Sequence, residues 1–145
     1  MTNYISSINS IPIGGKQLNG KWEVANLKLM AGVTIASNAT QTFDLSEILM
    51  DANYDYEVIG LVLTGSNSTN GQQSTLAVKN GDGEFQQRMG SDYVRSGANA
   101  ILGGGNYRVV IHGSNRNISI TNIRNYTCPD THFTVSYFRR VGKNV

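Results

Sequence analysis

The sequence has one cysteine, two prolines and few charged residues among its 145 residues. A single cysteine cannot close an internal disulfide, so the disulfide-stapled class of small domains is excluded and folding in a reducing cytoplasm is favoured. Charged residues make up 15% of the chain, against about 25% in an average globular domain. No apolar run approaches the roughly 20 residues of a membrane-spanning helix. The chain also begins without a basic segment followed by an apolar one, so we expect no signal peptide and no membrane partner.

Uncharged polar and β-branched residues are abundant instead. Asn, Ser and Thr occur 16, 13 and 11 times, whereas Ala occurs 8 times and Glu 4 times. Branching at Cβ restricts side-chain rotamers in a helix but suits the pleated surface of a sheet. With 16 glycines available for turns, this composition predicts an all-β protein whose surface is neutral and forms many hydrogen bonds.

Opposite charges separate along the chain. Residues 41–92 contain eight acidic and two basic residues, and residues 93–145 contain seven basic residues and one acidic residue. One interpretation is a basic face for nucleic acid. The other is that the two regions pair, within one subunit or between neighbouring subunits. Because the basic residues are scattered singly, we favour pairing and expect no nucleic-acid partner.

Residues 1–21 predict an extended N-terminal arm. Pro12 and the glycines that follow it argue against a helix. A segment this short cannot bury its isoleucines alone, so we expect the arm to lie on its own domain or on a partner, and we favour the partner. The candidate anchoring residues are Ile5, Ile8, Ile11 and Ile13.

Residues 22–145 predict one β-sandwich domain, because short strands alternate with turn residues throughout. The predicted strands are 21–29, 32–37, 56–65, 107–113, 117–123 and 132–141, with a hairpin at 75–89 that turns at Asn80-Gly81. A jelly roll and an immunoglobulin-like Greek key share this pattern, so the strand order stays open.

Three local features carry more specific expectations. Asp44 and Glu47 have the spacing of a capping box, which predicts a single helical turn at 45–50. Residues 56–65 form the most apolar run, which predicts a central strand buried on both faces. The glycine-rich residues 96–106 predict a flexible connection without the spacing of a phosphate-binding loop.

The stretch "YTCPDTH" at 126–132 is the first candidate for chemistry. Cys128, Asp130 and His132 bring together residue types found in metal sites and in nucleophile pairs, but a zinc site needs three or four ligands in a suitable geometry. We favour a turn at Pro129-Asp130 between a strand that ends near Tyr126 and one that starts at Phe133. The sequence therefore predicts no metal, no cofactor and no catalytic residue.

The stretch "HGSNRN" is a candidate ligand-binding loop. Its polar side chains, with a nearby tyrosine, are of the kind that bind sugar hydroxyl groups. The alternative, which we favour, is a hairpin loop in which Asn115 or Asn117 takes a left-handed conformation. The candidate binding residues are His112, Asn115, Arg116, Asn117 and Tyr126.

Two longer stretches resemble known proteins. "LKLMAGVTIASNATQTFDLSEIL" at 27–49, followed by "YEVIGLVLTG", resembles the β-sandwich modules of bacteriophage virion proteins, which include tail-fibre, receptor-binding, head-fibre and capsid-decoration proteins. "YRVVIHGSNRNISITNI" at 107–123 is similar to the closing strands of such modules. The likeness spans residues 22–140 and includes no motif from which a functional residue can be carried over.

The resemblance implies a non-enzymatic virion structural protein that is assembled in the host cytoplasm, frequently as a homotrimer. Its N-terminal arm would dock it to other virion proteins of the head or the tail. The alternative hypothesis is a carbohydrate-binding or host-receptor-binding module that recognises a surface glycan through the 112–117 loop.

Overall fold

A computed structural model describes residues 12–13, 16–17, 20–65, 75–83, 86–90, 102–124 and 127–143. Within these ranges the chain forms strands and turns and no α-helix, so the all-β prediction is confirmed. The strands are β1 (Pro12–Ile13), β2 (Lys16–Gln17), β3 (Glu23–Ile35), β4 (Thr40–Asp44), β5 (Tyr54–Gly65), β6 (Thr75–Asn80), β7 (Gln86–Gly90), β8 (Leu102–Ile111), β9 (Asn117–Asn122) and β10 (Cys128–Lys143). The same ranges contain no helix with the length and apolar character needed to cross a bilayer.

Two four-stranded antiparallel sheets pack against each other, as in a β-sandwich. The long-strand sheet has the order β3-β10-β5-β8, and the short-strand sheet has the order β4-β9-β6-β7. From β3 to β10, only β6 and β7 are both consecutive in sequence and adjacent in a sheet. Every other connection in this series passes from one sheet to the other. The β6–β7 pair confirms the hairpin predicted at Asn80-Gly81.

Apolar side chains from both sheets meet in one core. Phe133 of β10 lies at its centre, with ring centroids 5.9 Å from Phe43 of β4 and 5.4 Å from Tyr107 of β8. The fully buried side chains also include Ile35, Leu45, Leu49, Val58, Val62, Leu76, Val78, Ile111, Ile118 and Ile120. Among the residues whose side chains are described, the core therefore draws on seven of the eight strands of the two sheets and on the turn after β4.

Strand β5 is buried on one face only. Its residues alternate between buried, such as Val58 and Val62, and half-buried, such as Ile59 and Leu61. It lies inside the long-strand sheet, between β10 and β8, and its outer face is not covered by a second described layer. The prediction that this strand is buried on both faces is therefore wrong for the outer face.

Strand β3 joins two segments that were predicted as separate strands. Its pairing with β10 accommodates an extra residue of β3 at three points, near Asn26, at Leu29 and near Gly32, and the backbone takes positive φ values of 50° at Asn26 and 68° at Gly32. Such bulges bend a strand without ending it. The glycine at 32 was therefore a bulge residue and not a strand boundary.

Pro129 and Asp130 lie inside β10, so the predicted turn between two strands is wrong at this position. Between Cys128 and Thr131 the pairing with β3 gains one residue on β10, and Asp130 has a φ of 48°. The connection from β9 to β10 comes earlier in the chain. The tight bend that the sequence indicated is therefore a β-bulge.

Residues 102–106 belong to β8 and are not part of a flexible connection, whereas residues 96–101 lie outside the described ranges. Gly104 has a φ of 116°, and a Cβ at this position would lie 2.0 Å from the Val62 carbonyl oxygen. Glycine here permits β8 to approach β5 closely. Gly104 is therefore a residue that strand pairing requires to be small.

The predicted single turn after β4 is present, although it is too short to count as a helix. The Leu49 amide donates to the Leu45 carbonyl oxygen over 2.8 Å. Asp44 Oδ1 accepts a hydrogen bond of 2.9 Å from the Ser46 amide, and this bond lowers the pKa of Asp44. The cap therefore acts two residues into the turn and places Leu45 and Leu49 in the core.

The described part of the N-terminal arm contacts its own domain. Strands β1 and β2 pair with each other, β2 lies beside β10, and the Gly20 amide donates to the Arg140 carbonyl oxygen. Of the four candidate anchoring residues, only Ile13 falls in a described range, through its backbone in β1. Ile5, Ile8 and Ile11 lie outside the described residues, so their anchoring role stays a prediction.

Candidate functional site

The 112–117 loop connects the two sheets, and its polar side chains bind neighbouring turns. His112 Nδ1 lies 3.3 Å from Asp55 Oδ2, and Asn115 Nδ2 donates to Asp82 Oδ1 over 3.1 Å. Arg116 Nη1 donates to the Leu49 carbonyl oxygen over 3.0 Å. These contacts tie together the turn after β4, the β6–β7 turn and the start of β5.

The two asparagines of this loop do not take the expected conformation. Positive φ occurs at neither Asn115 nor Asn117, so the left-handed expectation is wrong. The loop is also not a hairpin, because β8 and β9 belong to different sheets. Asn117 is the first residue of β9 and pairs with Asp44, and Tyr126 lies outside the described residues. A ligand-binding role for the loop stays a prediction.

Arg116→Ala should lower the free energy of unfolding by about 1–2 kcal/mol, since it removes a charge-assisted hydrogen bond to the backbone beside Leu49. Urea denaturation measures the change. The matched control is Arg124→Ala, because Arg124 is exposed and donates through Nε to a single hydroxyl, that of Thr75. An equal loss in both variants would contradict a structural role specific to Arg116.

A row of four side chains crosses the outer face of the long-strand sheet. Val24 pairs with Tyr137, Tyr137 with Ile59, and Ile59 with Arg108, so each of the four strands contributes one residue. Val24 is 66% exposed and Tyr137 is 44% exposed. On most antiparallel sheets the solvent face is polar. A row in which three of the four side chains are aromatic or aliphatic therefore marks the outer face as a candidate binding surface.

Glu57 lies between two arginines next to this row. Arg108 donates to Glu57 Oε2 through Nε, and Arg139 donates to Glu57 Oε1 through Nε over 2.8 Å. The hydrogen bond from Arg108 is the main cause that lowers the pKa of Glu57, with Arg139 acting in the same sense and burial opposing both. The side chains of Glu57 and Arg139 are each only 14% exposed, whereas that of Arg108 is 58% exposed.

Trp22 lies above the two arginines. The guanidinium carbon of Arg139 is 4.6 Å from the centre of the indole ring, and that of Arg108 is 5.8 Å away. Stacking of this kind is a favourable cation–π interaction. Trp22, which immediately precedes β3, is thereby held over the sheet. Its ring lines an apolar hollow of about 290 Å³ together with Ile59 and Tyr137.

Glu57→Gln should reduce stability by about 1–2 kcal/mol at pH 7, because two arginines lose their charged acceptor. The pKa of Glu57 is lower in the folded than in the unfolded protein. Its contribution to the free energy of unfolding is therefore fully present above the unfolded-state pKa near 4.5 and is lost as the pH falls through the folded-state pKa. The difference between wild type and variant should therefore be constant from pH 7 to pH 5 and shrink toward pH 3. Denaturation at several pH values measures it, with the exposed Glu47→Gln as the control.

An open groove of about 440 Å³ adjoins the row. Its lining includes Ile59, Gly60, Asn106, Arg108 and Tyr137. We call it the Tyr137–Arg108 groove. Its volume lies within the range of about 300–1,000 Å³ that is usual for small-molecule sites.

Gln87 of β7 covers the edge of β8 at one end of the Tyr137–Arg108 groove. Its Nε2 donates to the Asn106 carbonyl oxygen over 2.8 Å, and its Oε1 accepts from the Arg108 amide over 2.9 Å. The side chain thus pairs with the backbone groups that a further strand would use. This arrangement protects a free sheet edge.

The residues of "YTCPDTH" do not converge on one point. Cys128 is fully buried in the core, whereas His132 is half-buried and lies 3.1 Å from Asp130 Oδ1 on the exposed bulge. Across the described ranges, no three His, Cys, Asp or Glu side chains lie close enough together to hold a metal ion.

Sequence reasoning missed the outer-face residues, because they are far apart in the chain and come together only through strand pairing. The available indication was the alternation in "YEVIGLVL", where Glu57, Ile59 and Leu61 share one face. The apolar members of that face were attributed to burial. Tyr137 and Arg139 show the same spacing of two residues in β10.

The sequence matches no model of a known protein family and no curated protein.

Proposed function

We propose that this protein is a non-enzymatic structural component of a bacteriophage virion. The observation that carries the proposal is the strand order, β3-β10-β5-β8 facing β4-β9-β6-β7. Eight strands in two sheets, with nearly every connection crossing between them, match the jelly-roll form of the sandwich. In an immunoglobulin-like sandwich, by contrast, the first two strands are neighbours in one sheet, whereas β3 and β4 lie in different sheets.

Jelly rolls recur in viral capsid proteins and in lectins, which supports a role on a virion by association of fold with function. The resemblance of residues 22–140 to phage virion modules supports the same role. The low content of charged residues and the high content of Asn, Ser and Thr suit close packing against other copies and other virion proteins. The protein would act in the virion as a homo-oligomer, after assembly in the host cytoplasm.

The N-terminal arm is the proposed docking element. Gly20 and Trp22 hold the end of the arm against the long-strand sheet, so the arm is attached to the sandwich at a fixed point. Docking to the head, as a decoration or fibre, and docking to the tail both fit this arrangement.

Deletion of residues 2–17 tests this proposal. The deletion removes β1 and β2 but leaves Gly20, Trp22 and both four-stranded sheets in place, so the sandwich should stay folded with an all-β circular-dichroism spectrum. Purified particles that lack the protein should incorporate the full chain but not the deletion variant. A length-matched variant with serine at Ile5, Ile8, Ile11 and Ile13 should also fail to incorporate.

Normal incorporation of the deletion variant would refute docking through the arm. Failure of the full chain itself to bind particles would refute the virion role. The two results are distinguishable because each uses a different protein on the same particles.

The second candidate function is binding of a carbohydrate or host receptor. The 112–117 loop gives it little support, since His112, Asn115 and Arg116 all have partners within the protein. The outer face of the long-strand sheet favours it, because an exposed tyrosine, an exposed arginine and an open groove lie side by side there.

A further inference from the structure

We propose that the Tyr137–Arg108 groove binds an acidic saccharide, with a sugar ring against Tyr137 and a carboxylate on Arg108. The inference deepens the second candidate function and rests on it, but it does not rest on the proposed virion role. It places a ligand site on the outer face of the long-strand sheet, which points away from the core.

The charge of this face suits an anionic ligand. Arg108, Arg139 and Lys28 carry positive charge, and the carboxylate of Glu57, which lies between the two arginines, balances them in part. Lys28 is exposed and pairs with Thr134 on the same face. The two arginines share a single carboxylate, so the cluster keeps a net positive charge that attracts a second one.

Arg108 has donors available for a ligand. A guanidinium carries five N–H groups in a planar fork, and Arg108 uses its Nε on Glu57. Its remaining donors make no further hydrogen bond to the described part of the chain, and the side chain is 58% exposed. A fork of this kind binds a carboxylate through two parallel hydrogen bonds.

The other side of the Tyr137–Arg108 groove suits a sugar ring. Tyr137 is 44% exposed, and its hydroxyl has no hydrogen-bond partner in the described ranges. An aromatic ring with a polar tip offers an apolar face to the C–H groups of a sugar and a hydroxyl to its oxygens. Asn106 and Ser136, which also line the groove, add an amide and a hydroxyl that match sugar hydroxyl groups.

A saccharide is favoured over an acidic peptide because the edge of β8 is closed. An extended peptide binds a sheet most readily by pairing with the backbone of a free edge strand. At Asn106 and Arg108 those backbone groups are already bonded to the side chain of Gln87. What stays open is a shallow groove on the face of the sheet, lined by side chains.

Isothermal titration of the full chain with defined oligosaccharides tests the proposal. The acidic probes are trigalacturonate and 3′-sialyllactose, and the neutral counterparts are the methyl ester of trigalacturonate and lactose. A tetraglutamate peptide serves as an acidic probe without a sugar. At least one acidic saccharide should bind, and its neutral counterpart should bind at least about tenfold more weakly, since charge-assisted hydrogen bonds are lost. Raising the salt concentration should also weaken binding.

Two substitutions test whether the saccharide binds in the Tyr137–Arg108 groove. Arg108→Gln and Tyr137→Ala should each weaken binding of the acidic saccharide at least about tenfold. The matched controls, Arg124→Gln and Met50→Ala, change an exposed arginine and an exposed apolar residue elsewhere and should leave the affinity within twofold. Melting temperatures of all four variants show that each is folded.

Each remaining outcome overturns the proposal. Equal binding of a neutral counterpart would remove the role of the carboxylate, and equal binding of tetraglutamate would indicate an acidic polypeptide. Binding that survives both groove substitutions would place the site elsewhere. Absence of binding by both acidic saccharides at millimolar concentration would refute the site, and these tests on the wild-type chain stand even if a variant fails to fold.

Discussion

Replacing Gly60 with alanine should destabilise the protein by about 3 kcal/mol or more, because overpacking beside rigid backbone costs at least the upper part of the usual range. A Cβ at this position would lie 2.1 Å from the Thr134 carbonyl oxygen and 2.5 Å from the Tyr107 hydroxyl oxygen. Neither atom can move freely, since β10 and β5 are paired at Thr134 and the Tyr107 hydroxyl donates to the same carbonyl over 2.6 Å. The new methyl group must therefore separate two central strands or displace a buried tyrosine.

The melting temperature should fall by roughly 10 °C for a loss of this size in a chain of this length. Thermal and urea denaturation both measure it. Gly142→Ala is the control, because a Cβ at Gly142 meets no atom within 4 Å, so its stability should change by less than about 1 kcal/mol. Equal stability of the two variants would show that β5 and β10 are not packed as closely as described.

Phe133→Ala should have a comparable effect, with a loss of about 3–5 kcal/mol for a fully buried aromatic side chain. Phe133 is 0% exposed and packs against Phe43 of the short-strand sheet and Tyr107 of the long-strand sheet. Its removal leaves a cavity where the two sheets meet, and the surrounding strands cannot collapse into it without shifting their registers. The denaturation midpoint should fall while the variant keeps an all-β spectrum at low temperature.

Tyr137→Ala is the matched control, since it removes an aromatic side chain from the same strand on the opposite face. Tyr137 is 44% exposed, so its loss should cost less than about 1 kcal/mol. Comparing the unfolding free energies of the two variants distinguishes the core-facing side of β10 from its solvent-facing side. If the two variants were equally destabilised, the assignment of Phe133 to the core and Tyr137 to the surface would be contradicted.

Local sequence predicted much of the strand content and some of the turns. The β-branched composition indicated an all-β chain, and Asn80-Gly81 marked the one hairpin of the two sheets. The turn after β4 was predictable because Asp44 caps it through the Ser46 amide two residues away. These features depend on interactions between residues that are close in the chain.

Glycine and proline were less reliable guides where they lie within strands. Gly32, Gly104 and Pro129 all indicated breaks, yet each lies inside a long strand. For Gly32 and Pro129 the reason is that strand pairing continues on both sides of a bulge, and pairing of this kind is not visible in a single stretch of sequence. Gly104 instead permits close pairing of β8 with β5 without a register shift.

The candidate site was hidden for a related reason. Arg108, Glu57 and Arg139 lie on three different strands, and Trp22 precedes a fourth. Their contacts depend on the registers of β5 with β8 and of β10 with β5, and a shift of one residue in either register would move the side chains to the other face. By contrast, the residues of "HGSNRN" attracted attention because they are adjacent in the chain.

By itself, then, the sequence determined the all-β class, the capped turn after β4 and the β6–β7 hairpin, because rotamer preference, capping and turn conformation are properties of a few consecutive residues. Only the tertiary structure decided the order of the strands, the bulges that lengthen β3 and β10, and the assembly of Trp22, Glu57, Arg108 and Tyr137 on one face. Those features arise from pairing between segments tens of residues apart, where register and sheet packing determine which side chains meet.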